Sequence, residues 1–264
     1  MTSSSTPLRP FGQAHAVRQD ARALLVGLVA LLGWDASGAD LPITRWYGTL
    51  QGFAWANHWL VSGVLHDGVK YAAWALFAVL VVGVWYPLPF ARGLTRAQRV
   101  WWLCAIVGSL LLTNLLRRYS ATSCPSQLHE FGGSVAAYVP HWHVFARDGG
   151  SGQCFPSGHA STGFAFLAGW FALRGTAPRW ARLWLIATVA VGALLGWVQV
   201  MRGAHYVSHS LWTGWICWFA TVVAYHAAPC WRDAPAGGMR GREADAATGA
   251  VAELATLPAP HSAI

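Results

Sequence analysis

Long apolar runs separated by short basic segments dominate this chain. Ala23–Trp34 is bounded by Arg22 and Asp35, Tyr71–Phe90 carries no charge, and Val100–Leu116 is flanked by Arg99 and Arg117. Phe155–Leu173, Leu183–Met201 and Tyr206–Pro229 follow. The later five approach the roughly 17–25 residues a helix needs to cross a hydrocarbon core. No segment alternates apolar and polar positions as a half-buried strand would. The pattern therefore predicts helices, which satisfy their own backbone groups in lipid. The expected fold class is all-α: a six-transmembrane helical bundle. The first run is short. Behind an Arg-bearing N-terminus it also fits the apolar region of a signal peptide, with Ala36-Ser-Gly-Ala39 near a cleavage site. The preferred reading is a retained helix running past Asp35 toward Ile43.

Composition strengthens the membrane reading. The 264 residues are 55% hydrophobic and 11% charged, against about 25% charged in an ordinary soluble domain. Mean hydropathy is +0.38. The net charge of +8 comes from 17 arginines and one lysine against ten acids. In such a chain the charge speaks to orientation rather than to nucleic acid. Arg9, Arg18 and Arg22; Arg92, Arg96 and Arg99; Arg174, Arg179 and Arg182; and Arg232, Arg240 and Arg242 form four groups. With six spans all four groups fall on one side, which the positive-inside rule makes cytoplasmic. Arg45, Lys70, Arg117, Arg118, Arg147 and Arg202 remain on the other side. The expected organisation is a polar, flexible cytoplasmic N-terminus (1–20), a membrane domain (21–231) and a disordered cytoplasmic tail (232–264) rich in Ala, Gly and Pro. Trp46, Tyr47, Phe53, Trp55 and Trp59 in the outer loop 35–70 suit a membrane interface; a lid over a lipid site is the weaker reading of that loop.

The chemistry-bearing residues concentrate on the outer side. Cys154-Phe-Pro-Ser-Gly-His159 opens the fourth span. Pro156 suits a first helical turn, and the backbone N–H groups of the following residues suit an anion. By itself this tetrapeptide is equally a helix start with a buried histidine. Arg117, Arg118 and Arg202, with His205 and His209 four apart on one helical face, lie at outer ends of neighbouring spans. Arginine's planar fork matches phosphate oxygens, so the three clusters outline a phosphate-sized cationic pocket. His129, His141 and His143 read as solvated loop histidines. Cys124 and Cys154 share the second outer loop. An oxidising periplasm predicts a disulfide between them, the alternative being two free thiols. No CxxC or HExxH spacing points to a metal.

With these residues in view, the chain resembles the type 2 phosphatidic acid phosphatases, membrane lipid phosphatases related to vanadium haloperoxidases. Their pattern reads K-x6-RP, PSGH and SR-x5-H-x3-D. Pro156, Ser157, Gly158 and His159 match the second part fully. In the third, His205 is the equivalent histidine, Gln199 stands at the arginine and His209 at the aspartate. In the first, Arg117 stands for the lysine and Cys124 for the arginine, with Pro125 retained. The resemblance covers about residues 70–229. It implies metal-free, cofactor-free hydrolysis of a lipid phosphate or diphosphate through a phosphohistidine, at the periplasmic ends of the helices in a bacterial inner membrane. It implies that His205 is the nucleophile and His159 the general acid, with Arg117, Arg118, Ser157, Gly158 and Arg202 holding the phosphate. His209 would orient His205, with Glu130 or Asp148 available to replace the missing carboxylate. Candidate substrates are phosphatidic acid, phosphatidylglycerol phosphate, undecaprenyl diphosphate and lipid A phosphate. The alternatives are a lipid phosphotransferase using the same intermediate and an inactive headgroup-binding membrane protein. A haem-binding electron carrier would need paired histidines within spans, and only His226 lies clear of the outer cluster. The sequence assigns no oligomeric state.

Overall fold

The computed structural model describes residues 11–135, 137–143 and 146–232. The chain divides into two compact units, Met1–Ala228 and Pro229–Ile264. In the first, α1 spans Phe11–Ser37 and α2 spans Asp40–Thr44. A small antiparallel hairpin follows, β1 (Gly48–Thr49) and β2 (Gly52–Phe53), with Gly48 opposite Phe53. A π-helical segment, Leu60–Gly68, runs directly into α3, Val69–Val82. α4 is Arg96–Tyr119, started by a reciprocal capping box between Thr95 and Gln98. α5 (Gly158–Phe164), a 3₁₀ turn (Ala165–Leu167) and α6 (Ala168–Leu173) form one helical stretch. α7, Pro178–Met201, begins on a proline, whose missing N–H costs nothing in a first turn. α8 is Val207–Ala227. In the second unit the described part is α9, Pro229–Arg232.

The architecture is helical, as the apolar runs predict. Leu60–Val82, Arg96–Tyr119 and Pro178–Met201 are long and apolar enough to cross a membrane. The remaining expected spans are helical but more polar or shorter. α8 buries Ser208, His209, Ser210, Thr213 and Thr221, which suits a central helix shielded by its neighbours. Indeed α8 packs against α1, α2, α4, α5, α6 and α7. Leu25, Val29, Trp74, Val79, Leu111 and Ile186, on four different helices, are exposed. So much apolar surface on a folded chain needs an apolar surrounding. α5 crosses α7 at close range. A Cβ on Gly163 would sit 2.7 Å from the Gly192 Cα, so no larger residue fits there.

Two expectations about the first segment change. The helix does not run on toward Ile43. The chain turns at Gly38, at φ 64°, and restarts as α2. At the other end α1 reaches back to Phe11, so residues 11–20 are helical rather than loose. Asp20 supplies the reason. It is buried, takes both guanidinium nitrogens of Arg174 at 2.8 and 2.9 Å, and lies 2.8 Å from His226 Nε2. Residues 1–10 and the tail 233–264 lie outside the described residues.

Side-chain bonds fix α8 antiparallel to α1 and α4. Asp20 meets His226, the Leu24 carbonyl meets Trp215, and Asp35 meets Trp212. Trp101 Nε1 donates to the Ala224 carbonyl, while Thr113 lies beside Cys217. The Asp20–Arg174–His226 cluster therefore sits about 30 Å, the length of α8, from the end that carries His209. At that far end the loops form a cap. Phe53, Leu128, Phe131, Val135 and Tyr206 make its buried core. Of the aromatics in the segment 35–70, Phe53 joins this core, whereas Trp46 and Trp59 stay exposed.

Candidate active site

The Pro156–His159 motif starts α5, two residues later than a helix with Pro156 in its first position would begin. Pro156 precedes the helix, and Ser157 is its N-cap, its Oγ accepting from the Ala160 N–H. Ser157 itself is fully buried, its backbone N–H donating to Thr213 Oγ1 at 2.9 Å. Gly158 and His159 then occupy the first turn, where the helix supplies no carbonyl for their N–H groups. Gly158 has a packing reason as well. A Cβ there would meet Nη1 of Arg117 at 2.8 Å. The glycine thus lets the guanidinium lie against the helix start.

His205 is held from two directions. Its own N–H and that of Ala204 both return to the Gln199 carbonyl, at 3.3 and 2.9 Å. Its ring Nδ1 lies 2.7 Å from the Cys154 carbonyl oxygen. A carbonyl only accepts, so Nδ1 carries the proton and Nε2 keeps its lone pair. Burial, then the Arg117 charge and that of His159, lower the His205 pKa to about 3 despite this hydrogen bond. The ring is therefore neutral at ordinary pH. His209 is also buried, with ring centroids 5.8 Å from His205 in an edge-on arrangement. Among the described residues its Nδ1 has no hydrogen-bond partner. Gln199, at the position of the family arginine, is buried, its amide nitrogen without a partner among the described residues.

The segment that holds His205 is itself tied down. Cys124 and Cys154 form a disulfide, as their sharing one loop predicts. The Cys154 N–H donates to the Thr122 carbonyl at 3.1 Å and the Gln153 N–H to the Ser120 carbonyl at 2.8 Å. The Gln153 carbonyl accepts from Arg117 Nε at 2.9 Å. Gly152 and Gln153 both have positive φ, 65° and 60°. For glutamine this costs roughly 1–3 kcal/mol, which the surrounding bonds must offset.

Around His159 the structure gathers basic side chains. His66, Arg202, Arg117 and Lys70 all lie close enough to act on it electrostatically. The His66 ring stacks on His159 at 3.8 Å between centroids, with Nδ1 2.8 Å from the Asp67 carboxylate. Arg202 is half-buried, its Nε donating to the Ala56 carbonyl at 3.2 Å. His66 and Lys70 were not singled out from sequence. The available signal was the only lysine of the chain at the head of an uncharged run. Arg118, by contrast, is exposed one helical step from Arg117. No described contact joins it to the histidines.

Three loop expectations are corrected. Glu130 does not approach His205; it pairs with Arg45 at the surface. Asp148 is used inside its own loop, accepting from the Ser123 N–H and Oγ and the Gly150 N–H. His141 is not solvated, although His129 and His143 are exposed. It stacks on Phe155 at 4.2 Å, and its Nε2 lies 3.5 Å from Asp35. Burial lowers its pKa to about 4, against the opposing pull of Asp40. Asp35 and Asp40 are thus the carboxylates that act on His141. Asp40 accepts from Trp34 Nε1 at 3.0 Å, the Ser208 N–H at 2.9 Å and the Ser208 hydroxyl.

Among the described residues, Cys154, His205 and His209 form a cluster with metal-ligand spacing, all donor atoms within 4.8 Å. The sulfur belongs to the disulfide, so it offers no thiolate. An apolar groove of about 380 Å³ opens between α3, α4 and α5, with Lys70, Asn114 and Gly158 at its polar rim and Trp74, Phe77 and Phe166 along its wall. A second groove of about 230 Å³ lies across α3, sharing Ala73, Thr162 and Phe166.

The family model described as the PAP2 superfamily matches residues 98–232. A protein named lipid A 1-phosphatase from Rhizobium johnstonii is 29% identical over 229 residues, covering 75% of this chain and 87% of its own. A protein of the same name from Rhizobium etli is 32% identical over 159 residues, covering 57% of this chain and 62% of its own. No solved structure matches the chain.

Proposed function

The chain belongs to the PAP2 superfamily, and from that premise we propose that it is a membrane phosphatase releasing inorganic phosphate from a lipid phosphate monoester. The observation that carries this reading is the Arg117 guanidinium lying on Gly158, with electrostatic reach to both His159 and His205. The favoured substrate is a lipid A phosphate, after the name lipid A 1-phosphatase that both Rhizobium relatives carry. Apolar grooves on either side of α3 suit its acyl chains, and Lys70 at the rim suits its headgroup.

In this reading six spans carry the site at the periplasmic end of an inner-membrane bundle, with the arginine-rich connections in the cytoplasm. His205 Nε2 attacks phosphorus while the bond to the lipid oxygen breaks. His159 gives its proton to that oxygen, a step worth about 10²–10⁴-fold. Arg117, Arg202 and Lys70, with the Gly158 and His159 N–H groups, offset the charge on the phosphoryl oxygens. His159, now neutral, takes a proton from water, which attacks the phosphohistidine and frees His205 and phosphate. Ser157 caps the helix that aims these donors. His209 packs edge-on against His205, and Arg118 serves as an interfacial anchor.

The test is phosphate release by the purified protein in nanodiscs, over lipid A, phosphatidic acid, phosphatidylglycerol phosphate and undecaprenyl diphosphate. Lipid A phosphate should be the best substrate. His205→Ala and His159→Ala should each remove at least about 10²-fold of kcat without loss of folding. Activity should persist in EDTA and be blocked by vanadate. Full activity in His205→Ala overturns the reading.

A further inference from the structure

The protein has no aspartate at position 209, so something else must fix the ring of the proposed nucleophile. We propose that the Cys124–Cys154 disulfide is a positioning device for catalysis: it clamps two successive backbone carbonyls, one of which orients His205 and the other Arg117. This rests on the assignment of His205 as nucleophile.

Three observations carry the idea. First, the Cys154 carbonyl is the acceptor at His205 Nδ1, at 2.7 Å, where a carboxylate would otherwise sit. Second, the preceding carbonyl, of Gln153, holds Arg117 Nε at 2.9 Å. One rigid dipeptide thus sets both the nucleophile and the phosphate ligand beside it. Third, the dipeptide is pinned on every side. The sulfur of Cys154 is bonded to Cys124, and its N–H is tied to Thr122. Cys124 is anchored in turn, its N–H donating to Gln127 Oε1 at 2.9 Å. The left-handed backbone at Gly152 and Gln153 turns these carbonyls toward the site, and a Cβ at Gly152 would meet the Ser120 carbonyl at 2.7 Å.

A backbone carbonyl supplies direction without charge. It selects the Nδ1–H tautomer and leaves Nε2 free, but it stabilises an imidazolium less than a carboxylate does. A neutral acceptor is worth having only if it is rigid, because a loop carbonyl free to rotate selects no tautomer. The cross-link provides that rigidity where the loop carries the strain of Gln153. Cys124, which replaces the arginine of the first motif, has on this account exchanged a phosphate ligand for a strut.

The test uses the whole protein in nanodiscs, with [15N]histidine labelling and His205→Gln to assign the ring. In the oxidised protein His205 should show a protonated Nδ1 and an unprotonated Nε2. Reduction by a phosphine, verified by thiol labelling, and the Cys124→Ala, Cys154→Ala double variant should both give a mixture of tautomers. kcat should fall about tenfold or more with KM changed less than twofold, and reoxidation of the reduced wild type should restore it. An unchanged His205 spectrum with unchanged kcat after complete reduction overturns the clamp, as does a loss confined to KM. A tautomer change on reduction in a protein that hydrolyses no lipid phosphate upholds the clamp but removes the phosphatase reading, so the two fail separately.

Discussion

Replacing Gly158 by alanine separates the site from the scaffold. The new Cβ would stand 2.8 Å from Nη1 of Arg117, and ordinary van der Waals contact begins at 3.4 Å. The obstructing atom is the tip of a flexible side chain, so the backbone need not move. Alanine is also a better helix residue than glycine by roughly 0.5–1 kcal/mol. Thermal stability should therefore hold or rise slightly. Activity should not hold, because the guanidinium must retreat from 2.8 to at least 3.4 Å. A misplacement of about 1 Å in a positioned group can cost on the order of 10²-fold in rate. Rather more than half of that displacement corresponds to about a tenfold loss in kcat/KM, or ~1.4 kcal/mol of transition-state stabilisation. The assay is phosphate release from a lipid phosphate in mixed micelles, beside thermal unfolding of the same preparation. A kcat/KM within twofold of wild type would show that Arg117 does not act from its place on Gly158. A loss of activity matched by a loss of fold would show that Gly158 serves the scaffold.

Further predictions concern pH and the two ends of the bundle. His205 and His141 stay neutral in the fold down to about pH 3 and about pH 4, while in the unfolded chain they protonate near the ordinary histidine value of 6.5. Between these limits the unfolded state binds more protons. Stability should be greatest above pH 6.5 and fall as pH drops toward 3 to 4, by up to ~1.4 kcal/mol per pH unit for each group. Denaturant midpoints measured across this range, flat with pH, would refute it. Asp40→Ala strips the Ser208 N–H, the Ser208 hydroxyl and Trp34 Nε1 of their acceptor. It should destabilise by about 2–4 kcal/mol, read as a lower unfolding temperature in detergent. Asp20→Ala leaves Arg174 without its carboxylate at the other end. Breaking such a pair costs ~3–5 kcal/mol when buried, and somewhat less for this partly exposed arginine. kcat per folded molecule should be unchanged, as checked by activity normalised to the folded fraction.

Local features were legible from the chain alone. Apolar run length and flanking charge predicted the helices, because burying backbone in lipid or in a bundle leaves few other conformations. The PSGH motif and the His205–His209 spacing were readable because their geometry is set within one helical turn. The Cys124–Cys154 bond followed from two cysteines in one loop. The positions of Arg117, Arg118 and Arg202 at span ends near the histidines also pointed to a cationic pocket. It did not show that Arg118 would point away from the site while Arg117, its neighbour, points in, although one helical step separates them by about 100°.

Tertiary structure decided which partners those local features acquired. Asp35 marked only the end of the first apolar run, yet it and Asp40 anchor Trp212 and Ser208 of α8. His141 looked solvated and is buried against Phe155. His66 reaches His159 only because α3 packs beside α5. The acceptor for His205 was the least visible of all. Every residue carries a backbone carbonyl, so no residue type marks the one at Cys154. Sequence determines what each segment can form by itself. The long-range packing of a central polar helix against its neighbours determines which donors and acceptors face each other, since that depends on pairs of residues far apart in the chain.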